Sequence, residues 1–282
     1  NTSTSRRVVS TYNNHQWFIN SLQVMPFISA SAISPFNKIR GGAAGGPAPT
    51  VLDFSPYNVW DSENVVISGT TTTFTDFNNV GTAYNLVNPS ATNQPAYNAS
   101  DSDFNNLPSF TFDGVGEYVS NGVSGYRESD SSGMYIGVFR YESGTNFNFF
   151  TSAQNNNGIF IRQARFPGTT QYIHRYGGST NTLETTQDNI LDGDVTIQAV
   201  AGDGTDWITY NEGGNIPNTI VAGGYKWFDE IPNRTNIGIG ASLNSAIRYA
   251  NISWCMSGYF PYVDDATTLD LISFLNTKYG IS

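Results

Sequence analysis

From residue 50 onward the chain falls into short runs rich in Val, Ile, Thr, Phe, Tyr and Trp, broken about every 8–12 positions by Gly, Asn, Asp, Pro or Ser. Runs this short are strand-length, and their spacing predicts an all-β sandwich or barrel. The clearest expected strands are 65–68, 109–112, 134–140, 158–162, 195–200, 207–210, 236–240 and 249–254. Most alternate apolar with small or polar residues, as sheets with one solvated face do. Asn155 to Gly158 and Asn211 to Gly214 read as hairpin turns, because Asn and Gly tolerate positive φ. A single helix is expected over 264–278: Leu269, Ile272, Phe274 and Leu275 recur at helical spacing, acids open it, Lys278 lies near its end and Gly280 just past it.

Charge divides the chain unevenly. Arg6, Arg7, Lys38 and Arg40 precede Asp53 with no acid among them, whereas residues 51–282 hold nine bases against 23 acids, a charge of −14. An acidic body excludes nucleic-acid binding through its bulk. Charged residues make up 13% of the whole, about half of what soluble domains carry, so Asn, Ser, Thr and Gly must form a neutral-polar surface. That composition argues against an ordinary cytoplasmic enzyme. The run from Gly41 to Pro49 has linker composition, which divides the chain into an N-terminal docking arm (1–40), a Gly/Pro linker (41–50) and a body (51–282). The arm carries Trp17, Phe18 and Phe27 but is too short to build its own core, so it is expected to pack on another surface, in its own body or in a neighbouring subunit. Cys255 is the one cysteine, which rules out an intramolecular disulfide, and no stretch reaches the roughly 18 apolar residues of a membrane span.

Three phrases carry a resemblance. The first is Asn93-Gln-Pro-Ala-Tyr97 followed by Asn106-Leu-Pro-Ser-Phe-Thr-Phe-Asp-Gly-Val-Gly-Glu-Tyr-Val119. The second is Val195-Thr-Ile-Gln-Ala-Val200 with Trp207-Ile-Thr-Tyr-Asn-Glu-Gly213; the third is Ile237-Gly-Ile-Gly240, then 252–259, then Phe274-Leu-Asn-Thr-Lys-Tyr-Gly-Ile281. In this order they resemble the concanavalin A-like jelly rolls of the laminin-G type, across residues 51–282. The resemblance implies a jelly-roll sandwich with a short C-terminal helix over one end and an N-terminal extension, Phe112 and Val119 facing the core, and Asp113-Gly114 turning the chain. The chain departs from the family at Gly116-Glu117, where an Asn-Asp pair is usual.

Sugar-cleaving enzymes share this architecture, so their chemistry must be sought. Laminarinase-like hydrolases place Glu-x-Asp-x-x-Glu on one strand; the nearest match, Glu128-Ser-Asp130-Ser-Ser-Gly133, ends in Gly where the acid/base belongs. Alginate-lyase-like sites are echoed only by Gln171-Tyr-Ile-His174. His15 and His174 are too few for a multi-histidine zinc site, and His174 reads as a hydrogen-bonded strand residue. No catalytic residue is therefore assigned. Acid pairs at short spacing suit calcium: Asp101/Asp103, Asp192/Asp194, Asp264/Asp265 and, as the preferred ligands, Asp203 and Asp206; the competing reading is polar turns and helix caps. No other cofactor is required.

Aromatic residues beside Asn- and Gly-rich turns suit sugar rings. Trp207, Tyr210, Tyr225 and Trp227 are the candidate glycan contacts, with Tyr225 and Trp227 on one side of an extended segment; the competing reading puts them in the core. Together these features predict a non-enzymatic structural or adhesion protein on a virion surface: a capsid decoration, head fibre or tail appendage. It would dock on other subunits through its arm, present a lectin-like body to cell-surface glycans, and form a homo-oligomer. A secreted bacterial carbohydrate-binding module is the alternative, and a divergent polysaccharide hydrolase or lyase the third reading.

Overall fold

The computed structural model describes residues 49–76, 84–142, 148–154, 157–163, 170–176, 179–185, 193–243 and 249–281. The arm (1–40), most of the linker, His15 and Asp192 lie outside them. Seventeen strands are described, and every pairing among them is antiparallel. One sheet runs β4 (Ala96–Asp101), β5 (Leu107–Asp113), β17 (Asn251–Phe260), β7 (Gly133–Tyr141), β12 (Val195–Gly202), β13 (Trp207–Asn211) and β14 (Gly214–Ile216). The other runs β2 (Thr71–Asp76), β3 (Leu86–Val87), β6 (Val119–Asn121), β16 (Asn236–Ile239), β8 (Asn148–Gln154), β9 (Asn157–Gln163), β10 (Thr170–Tyr176), β11 (Ser179–Thr185) and β15 (Asn218–Ala222). Strand β1 (Asn58–Ser68) belongs to both: Asn58 to Asp61 lie opposite β17, and Val65 to Ser68 opposite β2.

Side chains from the two sheets meet in an aromatic core that includes Trp60, Phe74, Phe112, Val119, Tyr135, Phe150 and Trp254. Phe74 stacks on Trp254 with ring centroids 4.4 Å apart. The outer face of the first sheet is apolar as well, because the C-terminal helix α1 (Asp265–Tyr279) lies across it: Leu271, Ile272, Leu275 and Tyr279 pack with Ile136, Val138, Ile197, Ala199 and Met256. Both faces of β7 and β17 are thus covered, which is why Met134-Tyr-Ile-Gly-Val-Phe139 reads as one continuous apolar run. A bulge after Trp254 turns Cys255 and Met256 both outward into the helix-facing cluster. Cys255 is a buried thiol, as its setting predicts, and burial pushes its pKa up.

The helix matches its expected limits, with Asp264 as N-cap and Gly280 in the left-handed region at its end. Two details differ from expectation. Leu269 is exposed (42%) and Leu271 takes the buried position, and the helix covers a sheet face instead of one end of the sandwich. Each buried Leu or Ile on that face contributes about 1.5–3 kcal/mol.

Loops at one end are tied together by Arg234, which is completely buried. Its guanidinium donates to Ser152 Oγ (3.0 Å) and to the carbonyls of Phe228 (2.7 Å), Ile231 and Tyr126, while its own N–H donates to Glu128 Oε1 (2.9 Å). Five planar donors suit such a ring of acceptors.

The Phe-Asp-Gly turn behaves as the resemblance implies. Phe112 and Val119 enter the core, and Gly114 adopts φ +74° where a Cβ would stand 3.0 Å from Asn251. Asp113 Oδ1 accepts from the N–H groups of Val115, Gly116 and Glu117, and these outweigh burial to lower its pKa. Glu117, half-buried beside that charge, is pushed up to about 7 by burial first and by Asp113 second. A folded pKa above the unfolded value gives stability that is complete below about 4.5 and lost as pH rises through about 7. The parent should therefore lose more melting temperature than Glu117→Gln between about pH 5 and pH 8, measured by thermal scans; parallel curves would refute the assignment.

Candidate functional site

Three of the four aromatic residues singled out from the sequence, Trp207, Tyr225 and Trp227, come together inside the molecule, whereas Tyr210 points to the opposite face of its sheet, into the cluster under α1. Trp227 has no exposed surface, Trp207 and Tyr210 are buried, and Tyr225 is half-buried. Tyr225 and Trp227 lie parallel, centroids 6.4 Å apart, as their alternation predicts, and Tyr172 stacks on Trp227 at 5.2 Å. The stack rests on the bare backbone of Gly202, where a Cβ would stand 2.8 Å from Trp227 Cε3. Polar edges are used internally: Trp227 Nε1 donates to Tyr259 Oη, Trp207 Nε1 to the Lys226 carbonyl, Tyr210 Oη to Asp265, and Tyr225 Oη to the Ser131 carbonyl. Trp207, Tyr210 and Trp227, so enclosed, offer no face to a sugar, and Tyr225 keeps only partial exposure. The missing side chain of Gly202 leaves the room that Tyr225 and Trp227 fill against β12.

Of the acids in these pairs, Asp101, Asp103, Asp203, Asp264 and Asp265 are engaged within the fold. Asp203 Oδ1 accepts from the N–H of Thr205, the Thr205 hydroxyl and the N–H of Asp206, all within 2.8 Å, and these bonds, led by that from Asp206, lower its pKa. Such a carboxylate closes its own turn. Asp101 and Asp103 face Arg140; Asp264 caps α1, and Asp265 accepts from Tyr262. Among the described residues no group of three or more His, Cys, Asp or Glu could hold a metal ion. His174 is buried, with Nδ1 3.4 Å from the Asn181 amide and Nε2 without a partner; burial and the charges of Lys226 and Arg234 drive its pKa down to about 4. A neutral, enclosed imidazole has no access to a substrate. Glu128 holds the Arg234 backbone and Asp130 pairs with Arg127.

A cleft of about 510 Å³ opens between β1, α1 and the turn at Val51–Phe54. Thr50 and Asp53 cap that turn reciprocally, which sets Val51 and Phe54 against the helix, with Phe54 and Phe274 centroids 5.6 Å apart. On β1, Asp61 and Glu63 alternate and so share a face. On α1, Phe274, Thr277 and Lys278 share a face through i, i+3 and i+4 spacing. The two faces meet at Lys278: its ammonium lies 2.6 Å from Asp61 Oδ2 and 2.7 Å from Glu63 Oε2. Asp61 is buried, and also accepts from Tyr279 Oη (3.1 Å) and the Glu63 N–H (3.0 Å). Burial alone would lower the Lys278 pKa, but the two carboxylates outweigh it and hold it above its ordinary value. Pro49, Thr50 and Asn64 complete the rim. The arrangement pairs an aromatic wall with fixed hydrogen-bonding groups. Nothing in the sequence reading pointed to it, although Asp61-x-Glu63 on a strand was a usable signal.

No family model and no curated protein matches the chain. Solved structures do. The binding domain of botulinum neurotoxin serotype D/C superposes with a TM-score of 0.51 at 13% identity, covering 78% of this chain and 52% of that one. A sialidase from Trypanosoma rangeli gives 0.51 at 10%, covering 89% of this chain and 36% of that one. The chain is an antiparallel β-sandwich of the jelly-roll type. The CBM40 of the Ruminococcus gnavus IT-sialidase, bound to alpha2,3 sialyllactose, gives 0.47 at 11%, covering 59% of this chain and 97% of that one. At these identities the likeness is one of fold. No described helix is long and apolar enough to cross a membrane.

Proposed function

We propose that this chain is a non-enzymatic, extracellular adhesion protein that recognises glycans through the cleft between β1 and α1. The observation that carries this reading is the cleft itself, where the Phe274 ring faces hydrogen-bonding groups already fixed by Asp61, Glu63 and Lys278. Sugars need that combination: an aromatic face for their C–H groups and rigid donors and acceptors for hydroxyls. The two carboxylates close on one ammonium instead of facing each other across a scissile bond, which supports binding without cleavage.

Display on a virion, through docking of the arm onto other subunits, is the finer reading. The basic, acid-free segment before Asp53 and the neutral-polar body support it. Light scattering on the full chain tests assembly: a mass of 30.7 kDa at every concentration would sink the homo-oligomer.

Immobilised glycans test the cleft. Phe274→Leu, which keeps apolar volume but removes the flat ring, should weaken retention at least about tenfold with little change in melting temperature, and no reducing ends should be released. Unchanged retention would place binding elsewhere; released ends would make the protein an enzyme.

A further inference from the structure

Charge in the cleft carries the reading one step further, to the class of sugar. Among the described residues, Asp61, Glu63 and Lys278 are its ionisable lining groups, and they leave one net negative charge. The Lys278 ammonium has three hydrogens, and the 2.6 Å and 2.7 Å contacts commit two of them to Asp61 and Glu63. One remains, enough for a hydroxyl or ring oxygen. Among the described residues no arginine lines the cleft, so none of them offers the paired donors that a carboxylate or sulfate takes. An anionic sugar could take only that one remaining hydrogen, and would bring a third negative charge to an ammonium already shared by the buried Asp61 and by Glu63. The surrounding body adds a field of the same sign, with 23 acids against nine bases over residues 51–282. Glu63 is partly exposed at the rim, where an amino group can share it with Lys278.

From this geometry we infer that the cleft selects sugars lacking negative charge, neutral or amino-bearing hexose units, and excludes those carrying carboxylate or sulfate. The inference rests on the glycan-binding reading. Its test is retention of the full chain on three immobilised sets: neutral hexose oligosaccharides, glucosamine oligosaccharides, and oligosaccharides bearing glucuronate or sulfate. The first two should retain the protein and the third should not, by at least about tenfold, with the glucosamine preference shrinking as salt rises from about 20 to about 300 mM. In Glu63→Gln the ratio of glucosamine to neutral binding should fall several-fold. Retention confined to the acidic set would overturn the selectivity while leaving glycan recognition standing. Retention by none of the three would overturn glycan recognition itself. Equal binding of all three, unmoved by Glu63→Gln, would show that the cleft's charge plays no part.

Discussion

Arg234→Ala should destabilise the body by about 4 kcal/mol or more, among the largest effects open to a single substitution here. Truncation strands the carbonyls of Tyr126, Phe228 and Ile231 and the Ser152 hydroxyl in a site closed to solvent. Each unmade buried bond costs about 1–3 kcal/mol, offset in part by water entering the space left behind. Arg234→Lys should rescue only a fraction, because three hydrogens on a point charge cannot reach four acceptors spread around a plane. Urea unfolding followed by tryptophan fluorescence measures both variants. A loss below about 1 kcal/mol in the Ala variant would mean that the loops hold together without the guanidinium.

Trp227→Ala should cost about 3–5 kcal/mol. The ring is wholly buried, stacks with Tyr172 and Tyr225, and spends its N–H on Tyr259. Its neighbours lean on one another over Gly202, so the cavity cannot collapse without moving β12. Glycan retention per folded molecule should not change, since the cleft at Phe274 involves none of these residues. A variant that melts like the parent yet loses retention would return this loop to the surface and restore the lectin platform expected from the sequence.

The strands that sequence reading found are those covered on both faces or built of strong alternation, such as Gly133–Tyr141 and Val195–Gly202. Some of those it missed are poor in apolar residues. Ser179–Thr185 holds Leu183 alone among Ser, Thr, Asn and Glu, and Thr71–Asp76 holds only Phe74. Threonine suits a pleated strand but also fills loops, so the pattern gave no period to read. The first strand was found only in its second half, because Asn58, Asp61 and Ser62 are buried polar residues with internal partners. Turns fared well where Asn or Gly had to supply the conformation, as in the reversal from Asn211 to Gly214. Side-chain direction at the loops was the least legible property: nothing local distinguishes a tryptophan laid over a distant glycine from one held out to solvent. The cleft was hidden for a similar reason. Asp61 and Lys278 stand 217 positions apart, and no spacing rule spans that distance.

The first strand's double membership has a consequence for how the molecule matures. Asn58 pairs with Tyr259, about 200 positions away, so β1 cannot settle until nearly the whole body has been synthesised. The cleft inherits that dependence, since one wall comes from β1 and the other from α1. A truncated or half-folded chain would hold neither an intact wall nor the ammonium that links them. Under the proposed glycan-binding reading, ligand retention would thus double as proof of a finished molecule, with defective copies silent.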